Sequence, residues 1–196
     1  MTQSDTEPLK LPLKEMMKSL PGIVGIRSEE KPPYEVVATE GDVELRRYHP
    51  LLVAELTTPG NPDVAASQAF RRLARYIFGA NHAQTAMPMT SPVLQEPAGA
   101  RRRLTFIMPS GYTRDTLPQP LDTDIQIVEI PARTVAVIRY SGNNTEERRH
   151  KAAGALQTWL AASGRVALSP VRWAQYDAPF TLPFLKRNEA QVDIDS

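Results

Sequence analysis

Tyr76–Val93 reads YIFGANHAQTAMPMTSPV, and the fold turns on how this stretch is parsed. Tyr76, Ile77 and Phe78 end an amphipathic pattern. Gly79 stops it, because glycine closes helices in a left-handed conformation without a Cβ clash. After a polar turn, Met87 to Glu96 reads as extended chain. Pro88 and Pro92 put that strand at an edge or bulge, since proline gives a ladder no N–H. Chemically, the stretch pairs a soft apolar wall, Met87 and Met89, with His82 and with arginines just upstream.

Working back from Gly79, residues 63–78 are helical. Val64, Ala65, Phe70, Leu73, Ala74, Ile77 and Phe78 fall mainly on one stripe, with Arg71, Arg72 and Arg75 on or beside its edge. Asn61 and Asp63 are the candidate caps. Before the helix, Tyr34 to Ala38 and Val43 to His49 alternate in parity around a Glu40-Gly41-Asp42 turn. Leu51 to Leu56 continues the extended run beyond Pro50. Working forward, Leu104 to Pro109 is a strand beyond a Gly/Ala/Arg loop, and Arg101-Arg102-Arg103 reads as a solvated turn.

The second half repeats this order. Strands are predicted around Ile125–Val128, Thr134–Tyr140, Val171–Tyr176 and Ala190–Ile194, with a helix over 145–162. Placing Gly60-Asn61 on Gly142-Asn143, a spacing of 82 residues, puts Ala54 on Ala136, Leu73 on Ala155, and Ile77-Phe78 on Trp159-Leu160. A lone four-stranded sheet with one helix leaves an open face, so the two units are expected to share one domain over 34–196. Residues 1–33 read as an N-terminal lead-in arm, with Leu13, Met16, Met17 and Leu20 on one face of a short helix before the Pro32-Pro33 boundary.

Composition removes several function classes. The 196 residues carry a formal net charge of +1 and no cysteine. Such a balance offers no phosphate-neutralising surface, so no nucleic-acid partner is expected. Disulfides, thiolate catalysis and Cys-ligated metals are excluded. No run approaches the roughly 20 apolar residues of a membrane span, and with Met1 as the start the expected location is cytoplasmic. The three histidines, His49, His82 and His150, share no helical i, i+4 spacing for zinc, although one imidazole suffices as an axial heme ligand. Nucleophile elbows and phosphate-cradling glycine loops are missing.

Taken in order, several motifs resemble the SOUL family of heme-binding proteins from about Tyr34 to Ile194. They are Tyr34-Glu35-Val36 with Val43-Glu44-Leu45-Arg46-Arg47-Tyr48; Phe70-x-x-Leu73-x-x-Tyr76-Ile77-x-Gly79-x-Asn81; Met89-Thr90-x-Pro92-Val93; Met108-Pro109; Leu117-Pro118-x-Pro120; Tyr176 with Pro179; and Arg187-Asn188-Glu189. The resemblance implies an α+β fold, a distorted β-barrel of two duplicated ββαββ units flanked by two helices, related to the effector-binding domains of bacterial transcription regulators. It implies non-covalent binding of heme or a related tetrapyrrole in an apolar cleft by the first helix. On this sequence the cleft residues are Phe70, Leu73, Met87 and Met89, with Arg71 or Arg75 for the propionates. The axial histidine proposed for some members falls at Arg47, and His49, two residues on, is the candidate iron ligand. Two alternatives stand beside this reading. One is a heme-dechelating or other tetrapyrrole-processing enzyme, with Glu44 or Glu55 as acid. The other is an effector-binding module for a non-heme amphiphile, with Trp159, Trp173 and Tyr140 as its lining.

Overall fold

Gly41, at φ 61°, makes the turn between β1 (Tyr34–Glu40) and β2 (Val43–Tyr48), an antiparallel hairpin with a bulge between Val36 and Ala38. These strands belong to a computed structural model that describes residues 29–177 and 181–195. The helix expected around Leu13–Leu20 lies outside the described residues. Beyond Pro50 the chain forms β3 (Leu51–Pro59), turns through Gly60 at φ 106°, and enters α1 (Pro62–Ile77). The Asn61 side chain caps α1 by accepting from the Asp63 backbone N–H at 3.1 Å. Past Gly79, at φ 109°, the buried Asn81 staples the turn. Its amide donates to the Tyr76 and Thr85 carbonyls and accepts from the Thr85 N–H.

The strand expected from Met87 begins only at Val93, as β4 (Val93–Ala98). Pro88 and Pro92 remove two ladder donors, so the segment before Val93 runs irregularly. A second correction concerns Arg101-Arg102-Arg103. They are not a solvated turn but the start of β5 (Arg101–Ile107), paired with both β3 and β4. The second unit follows the predicted order as β6 (Gln126–Ile130), β7 (Arg133–Ser141), α2 (Glu146–Ser163), β8 (Arg172–Gln175) and β9 (Arg187–Ile194). Thr145 caps α2 and Gly164, at φ 70°, closes it. The buried positions Ala69 and Leu73 of α1 are matched in α2 by Ala152 and Leu156. The helices therefore superpose one residue later than the 82-residue spacing, and Ala155, placed on Leu73 by the sequence, is exposed.

All nine strands form one curled antiparallel sheet, a half-barrel, in the order β1-β2-β7-β9-β8-β4-β5-β3-β6. The duplication is visible in that order: exchanging the members of the two units reverses the list from β2 to β6. Each unit's first strand crosses over, β2 pairing with β7 and β6 with β3. Strand alternation then gives three cores. Ala54, Leu56, Leu104 and Phe106 on the outer face pack under α1 with Leu73, Ile77 and Met87. Val43, Leu45, Ala136 and Ile138 pack under α2. Val53, Ile107, Val135, Val137 and Tyr176 fill the inside of the curl.

Candidate functional site

Helix α1 presents two chemically different flanks. Its buried stripe runs through Ala65, Ala69, Leu73 and Ile77, so at about 100° per residue Phe70 falls at one edge and Arg72 at the other. Arg72 forks onto Asp122, with Nε 2.7 Å and Nη2 2.6 Å from its two carboxylate oxygens, and reaches Asp124 at 2.6 Å. That fork, with a longer-range contribution from Arg75, holds the Asp122 carboxyl below its ordinary range. Arg75 therefore lies on the Asp122 flank, away from Phe70, and Arg71 is exposed between the two edges. The fold separates the cluster that the sequence groups together.

On the other flank the surface is apolar. Phe70, 40 % exposed, stands edge-on to Phe106 with ring centroids 5.3 Å apart. Met89 and Val93 are partly buried against the same cluster. Leu73 and Met87, 0 % and 3 % exposed, support this strip from below and do not open to solvent. Thioether and phenyl groups in such an arrangement make a soft, adaptable surface suited to a flat apolar ligand.

Followed along β4, the floor between α1 and α2 becomes polar. Gln95 donates to Gln175 of β8 at 2.7 Å, and Trp173 lies across from Gln95 in the β4–β8 ladder. The guanidinium carbons of Arg102 and Arg149 stand 5.2 and 5.7 Å from the Trp173 ring centroid. Arg149, from the first turn of α2, also donates to the Asn144 carbonyl at 3.2 Å and reaches Asp63 of α1 at 3.5 Å, joining the two helix starts. Burial first, and the Arg149 charge second, lower the pKa of Arg102. Sequence reasoning assigned Arg102 to a turn. Its parity with Leu104 and Phe106, both on the face under α1, was the available signal.

The remaining candidates are dispersed. His49 follows β2 with its imidazole exposed and its backbone N–H on the Pro33 carbonyl at 3.3 Å. His82 is exposed in the Asn81 turn, its backbone donating to Gln119. His150 is exposed on α2, 3.9 Å from Glu146. No group of three or more His, Asp or Glu residues placed for a metal ion occurs among the described residues. Glu44 is paired with Arg46 and Arg139. Glu55 lines an open polar cleft of about 420 Å³ with Arg72, Arg101 and Asp124, where burial raises its carboxyl pKa. Trp159 and Tyr140 are held on the α2 side, by Glu40 and Asn144 respectively. Inside the curl, Glu189 is fully buried. It accepts from Arg46, Arg187, Tyr176 and Gln191, a network that runs out to the surface through Glu44 and Arg139.

The sequence profile described as SOUL heme-binding protein matches residues 29–193. This chain belongs to the SOUL family. Among related SOUL-family sequences, Heme-binding protein 2 of Homo sapiens is 28% identical over 167 residues, covering 81% of this chain and 80% of that protein. The Mus musculus protein of the same name is 27% identical with the same coverage. Among solved structures, the EcmrR C-terminal domain superposes with a TM-score of 0.59 at 13% identity, over 83% of this chain and 98% of that one. A structure described as a hydrolase from Listeria innocua does so at 0.54 and 11%, over 81% and 94%. At those identities the likeness shows the fold alone. In the described part of this SOUL chain no helix is long and apolar enough to cross a membrane.

Proposed function

We propose that this SOUL-family protein binds heme or a related tetrapyrrole non-covalently, in the apolar groove beside α1. The observation that carries the reading is the strip of exposed Phe70 and half-buried Met89 and Val93, backed by the buried Phe106, Leu73 and Met87. The residues present fit the ring of such a ligand. Phe70 and Met89 supply its apolar contact, while exposed Arg71 and Arg75 give the helix surface a positive field that attracts an anionic molecule. When bound, a heme would supply the iron and its redox chemistry. The protein's part is to shield one face of the ring. The three described imidazoles stand at turns or on an exposed helix face, so the reading is of a ring held by packing and charge, with His49 dispensable.

A hemin titration of the purified protein tests this. The expected result is a saturable shift of the Soret band at a near-stoichiometric ratio, unchanged in His49→Ala and weakened about tenfold in Phe70→Ala, the scale of losing one well-packed aromatic contact. Shallow binding without saturation would overturn the reading.

A further inference from the structure

We infer that the end of the groove around Trp173 is an oxyanion subsite, and that it takes the carboxylates of the ligand whose apolar body lies against Phe70. This rests on the tetrapyrrole reading for the ligand's identity, but the subsite stands on its own geometry. Arg102 Nη1 and Trp173 Nε1 are buried there without a hydrogen-bond partner among the described residues, and so is the Nδ2 of Asn144, the residue whose carbonyl accepts from Arg149. All three are donors, and none of the three atoms can accept. Buried donors are ordinarily satisfied, because each one left without an acceptor carries a desolvation penalty.

Charge points the same way. Arg102 and Arg149 both stand within 6 Å of one indole ring, and Arg149 lowers the pKa of Arg102. The carboxylates at hand are Asp63 and Glu146, both exposed. Asp63 approaches Arg149 only at 3.5 Å, and Glu146 acts on Arg102 through space. Exposed Asp63 touches Arg149 only at the limit of hydrogen-bond distance, which leaves the two guanidiniums able to take an anion from outside. The planar forks match carboxylate geometry, and the indole and amide N–H groups add neutral donors. This end is continuous with the Phe70 strip through the Gln95–Gln175 pair on β4 and β8. An amphiphile with an apolar plate and acidic substituents on one edge fits that gradient. The arginines that meet its acid groups are then Arg102 and Arg149, from β5 and α2, and not those of α1.

The test uses the 196-residue chain with Trp159→Phe, which leaves Trp173 as the sole indole reporter. It is titrated with metal-free protoporphyrin IX, with its dimethyl ester, and with benzene-1,3,5-tricarboxylate as an acid lacking a porphyrin. The expected result is that the free acid binds roughly tenfold or more tightly than the ester, the scale of one charge-assisted pair. Arg102→Gln and Arg149→Gln should each erase that difference. Arg102→Gln should also keep or raise the melting temperature, because it removes a half-buried charge that Arg149 repels, whereas a merely structural arginine would lower it. Equal binding of acid and ester, unaltered in both variants, overturns the subsite and leaves the porphyrin reading intact. Quenching of Trp173 by the tricarboxylate alone, lost in Arg102→Gln, supports the subsite and removes the porphyrin reading. No response to any of the three overturns both.

Discussion

Glu189 shows at the level of one residue why an acidic side chain can be fully enclosed. Arg46 meets it with two bonds, 3.0 and 3.1 Å, Arg187 adds another at 2.6 Å, and the Tyr176 hydroxyl donates at 2.8 Å. Burial opposes ionisation, yet the arginine bonds prevail and hold the carboxyl below its ordinary value of 4.5; Asp193 is held down likewise by Arg172 and Arg133. A depressed folded-state pKa contributes stability that is present above the unfolded value and lost as pH falls through the folded one. The melting temperature of the wild type should therefore be flat near neutrality and drop below about pH 4.5. Glu189→Gln should lower the neutral-pH plateau and flatten that acid limb, which thermal melts between pH 3 and 7 would show; an unchanged slope would remove Glu189 from the account. Arg46→Ala leaves part of a buried charge uncompensated and should cost about 3 kcal/mol in urea unfolding. Single-residue readings from sequence reached part of this. Arg46 and Glu189 were visible as motif members, but their pairing spans 143 positions and has no local signature.

Among the elements, α1 was legible almost to its ends because its period, its Asn61 cap and Gly79 all agree. What the period does not give is which flank of the helix meets which strand. Phe70 and Arg72 look equivalent on a helical wheel. Only the docking of α1 over β3 and β5 turns the first toward Phe106 and the second toward Asp122. Likewise, the Met87–Met89 segment has strand-like alternation, and Pro88 with Pro92 overrides it. The roles assigned to wall and floor can be separated. Leu73→Ala removes a 0 % exposed side chain and should cost about 2–5 kcal/mol in denaturant unfolding. Phe70→Ala, at 40 % exposure, should cost under about 1.5 kcal/mol while giving the larger loss of hemin affinity per unit of stability. If the Phe70 variant is the less stable of the two, the strip is core and not surface.

At the scale of the whole molecule, the duplicated pattern was legible and its crossing was not. The sequence shows two like units, and the sheet shows that neither is complete: β2 lies on β7 and β6 on β3. Registers between distant strands are set by tertiary packing, which is why the space between α1 and α2 was also hidden. Its floor is the seam where β4 meets β8, with Gln95 and Gln175 joined across 80 positions. The crossing has a consequence for folding. A piece covering residues 29–123 would keep β3 without β6 and lose Ile125 and Ile127 from the core under α1. A piece covering 124–196 would keep β7 without β2, exposing the β7 edge and half of the inner core of Val135, Val137 and Tyr176. Open edges and uncovered apolar faces do not sustain independent folding. Each piece expressed alone should therefore give a collapsed amide-proton NMR spectrum, and the two co-expressed should recover the dispersion of the intact chain. A well-dispersed spectrum from either piece by itself would mean that the strand exchange is not needed to complete a folded unit.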